Sequence, residues 1–188
     1  RKGIKWFKKI LLDKYFRKEI KPLRTEPENK LIDYLGWHKQ NEDYCFVGLP
    51  LLSGRLSGKK KSLIRDIVKE NNLDIRLTPN QDILLCNIPN KNKSEIKKAL
   101  IKIGYDNLND INEIQRHALA CPALPLCGLA MTEAERILPE VLTRIENLLN
   151  ELDIKKTILF RMTGCPNGCT RPYMAELALV GSGQNKYQ

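Results

Sequence analysis

Apolar residues in the first stretch of the chain recur at helical spacing. Across residues 3–17, Trp6, Phe7, Ile10, Leu11 and Tyr15 fall near one another with Lys14, which predicts an amphipathic helix. Pro22 and Pro27 then punctuate a charged stretch with little apolar periodicity, read as a connector to about Lys30. A compact unit begins at Leu31. Tyr44–Leu51 reads as a strand, Ser53-Gly54-Arg55 and Ser57-Gly58 as turns, and Lys60–Asn72 as a helix burying Leu63, Ile64, Ile67 and Val68. Two strands follow, Leu73–Leu77 and Ile83–Ile88, flanking a Thr78–Asp82 turn. Ser94–Ile103 closes the unit as a helix with Gly104 as its C-cap.

The order strand, helix, strand, strand, helix is that of a ferredoxin-like half-unit, so the fold class expected is α+β. Residues 105–117 read as a polar linker. Thr132-Glu133-Ala134-Glu135 has the form of a capping box opening a helix, whose apolar positions run from Ile137 to Leu152. Pro139 within it predicts a kink or a restart. Thr157–Met162 reads as a strand, and Tyr173–Val180 alternates apolar and polar positions as a second one. The resulting organisation is a helix and basic linker over 1–30, the ferredoxin-like unit over 31–104, and a cysteine-bearing region over 105–188.

Composition places the chain of 188 residues, 42% hydrophobic and 29% charged, among ordinary globular proteins and away from disorder. No apolar run approaches the roughly 18 residues of a membrane span, and no secretory leader is visible. Arg1 in place of Met, and a strand-like run ending at Gln188, suggest a piece of a longer chain. Net charge is +10. It is concentrated in residues 1–30, where eleven basic side chains face four acidic ones, either as a solvated helix face or as a docking surface for an acidic partner.

Six cysteines without secretory context point to metal or redox use over disulfides. Cys45 and Cys86 fall inside apolar strands and read as small core residues. The other four form two Pro-punctuated loops, Cys121-Pro122-Ala123-Leu124-Pro125-Leu126-Cys127 and Cys165-Pro166-Asn167-Gly168-Cys169, each able to aim two sulfurs at one point. Gaps of five and three residues are wider than the two-residue knuckle usual for structural zinc, and they favour an iron–sulfur cluster. Zinc stays open as the competing reading. It would make the chain a basic nucleic-acid module, although the lysine-rich segments lack the interleaved aromatics on which single strands stack.

Met162-Thr163-Gly164-Cys165-Pro166-Asn167-Gly168-Cys169, the following Arg171-Pro172-Tyr173-Met174-Ala175-Glu176, and the Cys121/Cys127 pair closely resemble the sirohaem-dependent assimilatory sulfite reductases, particularly the ferredoxin-linked type. Leu35-Gly36-Trp37-His38 and Arg76-Leu77-Thr78-Pro79-Asn80-Gln81 resemble that family's ferredoxin-like half-domain. Nitrite reductases of the family share the cysteine spacing; Pro122–Leu126 and Gly168 favour sulfite.

The resemblance implies a four-iron four-sulfur cluster held by Cys121, Cys127, Cys165 and Cys169. It also implies a sirohaem whose iron shares the Cys169 thiolate, making Cys169 the catalytic cysteine. Asn167 would donate to cluster sulfur. Arg55, Arg76, Thr78, Asn80 and Gln81 are candidate sirohaem contacts; His38 and His117 stay unassigned. Ferredoxin as electron donor, sulfite as substrate, an N-terminal half holding the sulfite-binding residues, and a cytoplasmic or plastid-stroma location are the further expectations.

Overall fold

The structure, a computed structural model, describes residues 2–15, 33–108 and 111–188. The chain divides into two units, residues 1–32 and 33–188. In the first, helix α1 spans Gly3–Lys14 with no buried residue and no acidic side chain in its first turn. The remainder of the predicted helix and the basic connector lie outside the described residues.

The second unit opens with an antiparallel sheet of β1 (Gly36–Lys39), β2 (Tyr44–Leu49), β3 (Asp74–Leu77) and β4 (Ile83–Pro89), in the order β1-β2-β4-β3. Helices α2 (Gly58–Asn71) and α3 (Lys93–Ile101) turn Ile64, Ile67, Ile96 and Leu100 onto Val47, Leu49, Leu85 and Ile88. Fully burying each such aliphatic side chain contributes about 1.5–3 kcal/mol. Cys45 and Cys86 are buried in β2 and β4. Strand β1 went unread in the sequence because Trp37 and His38 are only half-buried, which gives a weak alternation. Residues 105–117 are not a polar linker. Tyr105 and Leu108 pack into this first core, and Glu113–Arg116 forms a short helix, α4.

A second sheet follows, of β5 (Leu119–Ala120), β6 (Phe160–Thr163), β7 (Leu177–Gly183) and β8 (Lys186–Tyr187), in sequential order. Strand β6 runs parallel to both β5 and β7, while β8 returns antiparallel. Helix α5 (Leu138–Glu151) makes the crossover from β5 to β6 and lays Leu138 and Leu142 on Phe160, Met162 and Ala120. It starts five residues later than the capping box predicted. Pro139 sits in its first turn, where a missing N–H costs nothing, so the proline begins the helix and does not kink it. Thr132 and Glu135 have other partners: the Thr132 hydroxyl donates to Tyr187 Oη at 2.7 Å, and the Glu135 carboxylate binds Arg55. The strand predicted from Tyr173 begins at Leu177, because Arg171 takes a left-handed φ of 58° and Pro172–Met174 coil into a 3-10 turn.

Candidate functional site

Both cysteine loops leave the C-terminal ends of neighbouring parallel strands. Cys121 directly follows β5, and Cys165 follows β6 after a single glycine. Parallel pairing of Ala120 with Met162 therefore brings the loops together, at the sheet end where α/β folds commonly bind ligands. The Cys121 N–H extends the ladder, donating to Met162 O at 3.1 Å. Gly164 N–H donates to Cys121 Sγ at 3.3 Å, tying one loop's sulfur to the other loop's backbone.

Gly164 O accepts the N–H groups of Met131 and Thr132 at 2.8 and 3.2 Å. A Cβ on Gly164 would lie 2.7 Å from both Ala123 Cβ and Thr132 O, so only glycine fits this seam. The first loop is braced by Cys127 N–H to Ala123 O at 2.8 Å and by Glu135 N–H to Cys121 O at 3.2 Å. The second is braced by the Thr170 hydroxyl on Met162 O at 3.3 Å and by Arg171 N–H on Gly168 O at 2.8 Å.

All four thiols are free, and they grade outward: Cys121 is buried, Cys127 and Cys165 are half-buried, and Cys169 is exposed. Burial pushes the Cys121 thiol up. The N–H groups of Gly164 and Ala123 oppose this, while the neighbouring Cys169 and Cys165 raise it further. Cys165 and Cys169 thus both lie within electrostatic reach of Cys121. Among the described residues no three Cys, His, Asp or Glu side chains close on a single ion. A tetrahedral zinc would need sulfurs about 3.8 Å apart, given a Zn–S bond of about 2.3 Å. A cubane cluster, whose irons are separate, spaces its thiolates more widely. Free thiols on two mutually braced loops, with an N–H already on one sulfur and the Asn167 amide 3.9 Å from Cys169 Sγ, suit cluster ligation.

Of the polar residues singled out in the ferredoxin-like unit, Arg55, Thr78 and Gln81 line one open cleft of about 350 Å³ together with Ser53, Pro122 and Glu135. Arg55 forms a bidentate pair with Glu135, Nε–Oε2 2.9 Å and Nη2–Oε1 2.6 Å. Gln81 Nε2 donates to Ala120 O at 3.1 Å. Asn80 lines a separate pocket beside Asp82, and Arg76 lies on the exposed strand β3. His38 stacks on Phe46 and bonds Leu35 O, and His117 is buried, its pKa lowered by burial.

The sequence reading passed over two buried charged groups. Burial pushes the Asp82 carboxyl up to about 6, although it accepts the Leu51 N–H at 3.0 Å. Arg161, in β6, is buried with its guanidinium on the carbonyls of His117 and Phe160, and burial lowers its pKa. A charged residue between apolar neighbours immediately before the second cysteine loop was the available signal.

Residues 38–103 match the family described as the Nitrite/Sulfite reductase ferredoxin-like half domain. Over 191 residues the chain is 46% identical to the sulfite reductase [ferredoxin] of Synechococcus elongatus, covering 99% of this chain and 30% of that protein. The chain belongs to the nitrite/sulfite reductase family. It is 37% identical to the sulfite reductase [NADPH] hemoprotein beta-component of Staphylococcus carnosus, covering 100% of this chain and 33% of that one. The solved structure of the Mycobacterium tuberculosis NirA protein shares the fold, with a TM-score of 0.69 and 23% identity over 99% of this chain and 35% of that one. The chain spans about a third of the length of each of these proteins.

Proposed function

We propose that the whole protein reduces sulfite to sulfide with six electrons, and that this chain supplies the thiolate ligands of a four-iron four-sulfur cluster joined to a sirohaem. The observation that carries this reading is the Gly164 N–H on Cys121 Sγ, which locks together two cysteine loops already brought side by side by β5 and β6. Cys121, Cys127, Cys165 and Cys169 would hold the cluster. When bound, the coupled pair supplies one-electron transfer to the substrate.

The chain's own groups prepare the site. The Gly164 N–H stays on the Cys121 sulfur once the thiol is deprotonated and offsets part of its charge. The Phe160 and Met162 core beneath the loops keeps water from the buried thiol. Cys169, exposed and within reach of the Asn167 amide, is assigned as the shared and catalytic thiolate. Arg55, Thr78 and Gln81, which face one cleft, are assigned to the sirohaem side; Arg76 and Asn80 do not line it.

Ferredoxin is the proposed donor, on two grounds. The ferredoxin-type relative is more similar than the NADPH-type one, 46% against 37%. Lys2 and Lys5 also crowd the N-terminal turn of α1, where the helix dipole disfavours cations, so helix stability does not explain them. No described helix is long and apolar enough to cross a membrane, and the proposed setting is cytoplasm or plastid stroma.

Two measurements on the whole protein test the reading. Visible absorption should carry sirohaem and iron–sulfur bands, where zinc is silent. Turnover of sulfite and nitrite driven by the same reduced ferredoxin should give the higher kcat/KM for sulfite; the reverse order would make nitrite the substrate.

A further inference from the structure

One turn of the half-domain reaches both cysteine loops. The β3–β4 turn is built from within: Thr78 Oγ1 accepts the N–H groups of Asn80 and Asp82 at 3.3 and 3.1 Å, and Thr78 N–H donates to Asp82 O at 2.9 Å. Gln81 sits at a left-handed φ of 67°, unusual for a residue with a side chain, and donates its N–H to Thr78 O at 3.2 Å. Gly54 backs it closely, since a Cβ there would stand 3.3 Å from Gln81 Cβ. Asp82 Oδ1 fastens the turn's far end to Leu51 N–H. The Gln81 backbone is therefore fixed from several sides, and so is the direction in which its side chain leaves.

That side chain ends on the carbonyl of Ala120, the fully buried residue immediately before Cys121. A carbonyl only accepts, so the NH2 end of the amide faces it and Oε1 faces away. From the same turn, Pro79 O accepts Arg171 Nη2 at 3.5 Å, two residues beyond Cys169. The turn thus holds the chain just before the first loop and just after the second.

We propose that Gln81 is a positioning residue for the thiolate ligands: its amide fixes Ala120, and through it Cys121, in register with the second loop. This rests on the reading of the four cysteines as cluster ligands. A strained, braced turn whose one long side chain spans to the peptide next to a ligand is poorly explained by local stability, because a shorter residue would close the turn equally well. Held this way, Cys121 meets the cluster without having to be drawn into place.

The test uses the whole protein with its cofactors and compares the parent with Gln81→Met, which keeps shape and loses the donor, and with Cys165→Ser. Three quantities are read: iron and sulfide content, the rate of iron release to a chelator, and the electron paramagnetic resonance line shape of the reduced cluster. Circular dichroism follows unfolding of the same samples. Gln81→Met should load iron, release it about fivefold faster than any fall in its unfolding midpoint accounts for, and shift the line shape. Cys165→Ser should fail to load. If Cys165→Ser fails to load while Gln81→Met matches the parent in release rate and line shape, the positioning role is overturned and the ligand reading stands. If Gln81→Met releases iron faster only in proportion to a lowered unfolding midpoint, the residue is merely structural and the proposal falls. Full iron in Cys165→Ser would overturn the ligand assignment itself, and the positioning role with it.

Discussion

Gly181 on β7 lies so close to Gly164 that a Cβ on Gly181 would stand 2.3 Å from the Gly164 carbonyl oxygen. That oxygen cannot retreat, because it holds the N–H groups of Met131 and Thr132. Replacing Gly181 or Gly164 with alanine should therefore destabilise the fold by about 1–3 kcal/mol, the usual range for overpacking. Gly128→Ala, where nothing lies within 4 Å, should stay within about 0.5 kcal/mol of the parent. Denaturant unfolding of the three variants checks this, and equal midpoints for Gly181→Ala and Gly128→Ala would contradict it.

The thiols should divide into two groups. Serine at Cys121, Cys127, Cys165 or Cys169 should abolish cluster assembly in the whole protein, since a hydroxyl is a harder and less readily deprotonated ligand than a thiol. Alanine at Cys45 or Cys86, buried in β2 and β4, should leave iron and sulfide content intact. Chemical analysis of the purified variants separates the groups.

Asp82 should make stability depend on pH in the sense opposite to a salt-bridged carboxylate. Burial, and secondarily the charge of Asp33, raise it from the ordinary 3.8 to about 6. The folded state thus favours the protonated acid. Its contribution is fully present below the ordinary carboxyl range and is lost as pH rises through about 6. Asp82→Asn keeps an oxygen for the Leu51 N–H and removes the charge. Relative to the parent, it should gain stability between pH 4 and 7, by up to about 3 kcal/mol. A parent–variant difference that stays flat over that range would show that Asp82 titrates like an exposed carboxyl.

The basic helix should matter to an acidic donor and not to the chemistry. At about 0.15 M ionic strength the screening length is roughly 8 Å, so affinity for ferredoxin should fall as salt is added. Neutralising Lys2, Lys5, Lys8 and Lys9 together should weaken it further while turnover with a small uncharged reductant is unchanged. Binding titrations at low and high salt decide the point. Parent-like affinity of the quadruple variant at low salt would leave these lysines as a solvated face.

Much of this structure was legible where a residue's fate is set by near neighbours. The periodicity of Ile64 and Ile67 marked α2, the run from Ile83 to Ile88 marked β4, and proline-punctuated cysteines marked the loops. The misreadings share a different cause. Thr132 and Glu135 form a capping box in sequence, yet Tyr187 and Arg55, more than fifty positions away, claim their side chains. Strand β5 is two residues long and exists only because Met162 and Arg161 lie beside it, so no local pattern announces it. Gln81 was singled out as a turn residue near a cofactor; its reach to Ala120 depends on packing between two sheets, which no spacing rule encodes.

The parallel alignment of β5 with β6 also sets an order of events. Parallel neighbours cannot be joined by a tight hairpin, and the partners Ala120 and Met162 meet only after α5 has carried the chain across. Until then, each loop offers at most two sulfurs to any metal source. Such non-local pairing forms slowly because the closure entropy comes before the contacts that repay it. If the four cysteines hold the proposed cluster, iron delivery would be timed by the polypeptide: a nascent chain that has not completed the crossover would present an incomplete ligand set, and loading would be a late step that reports on a finished sheet.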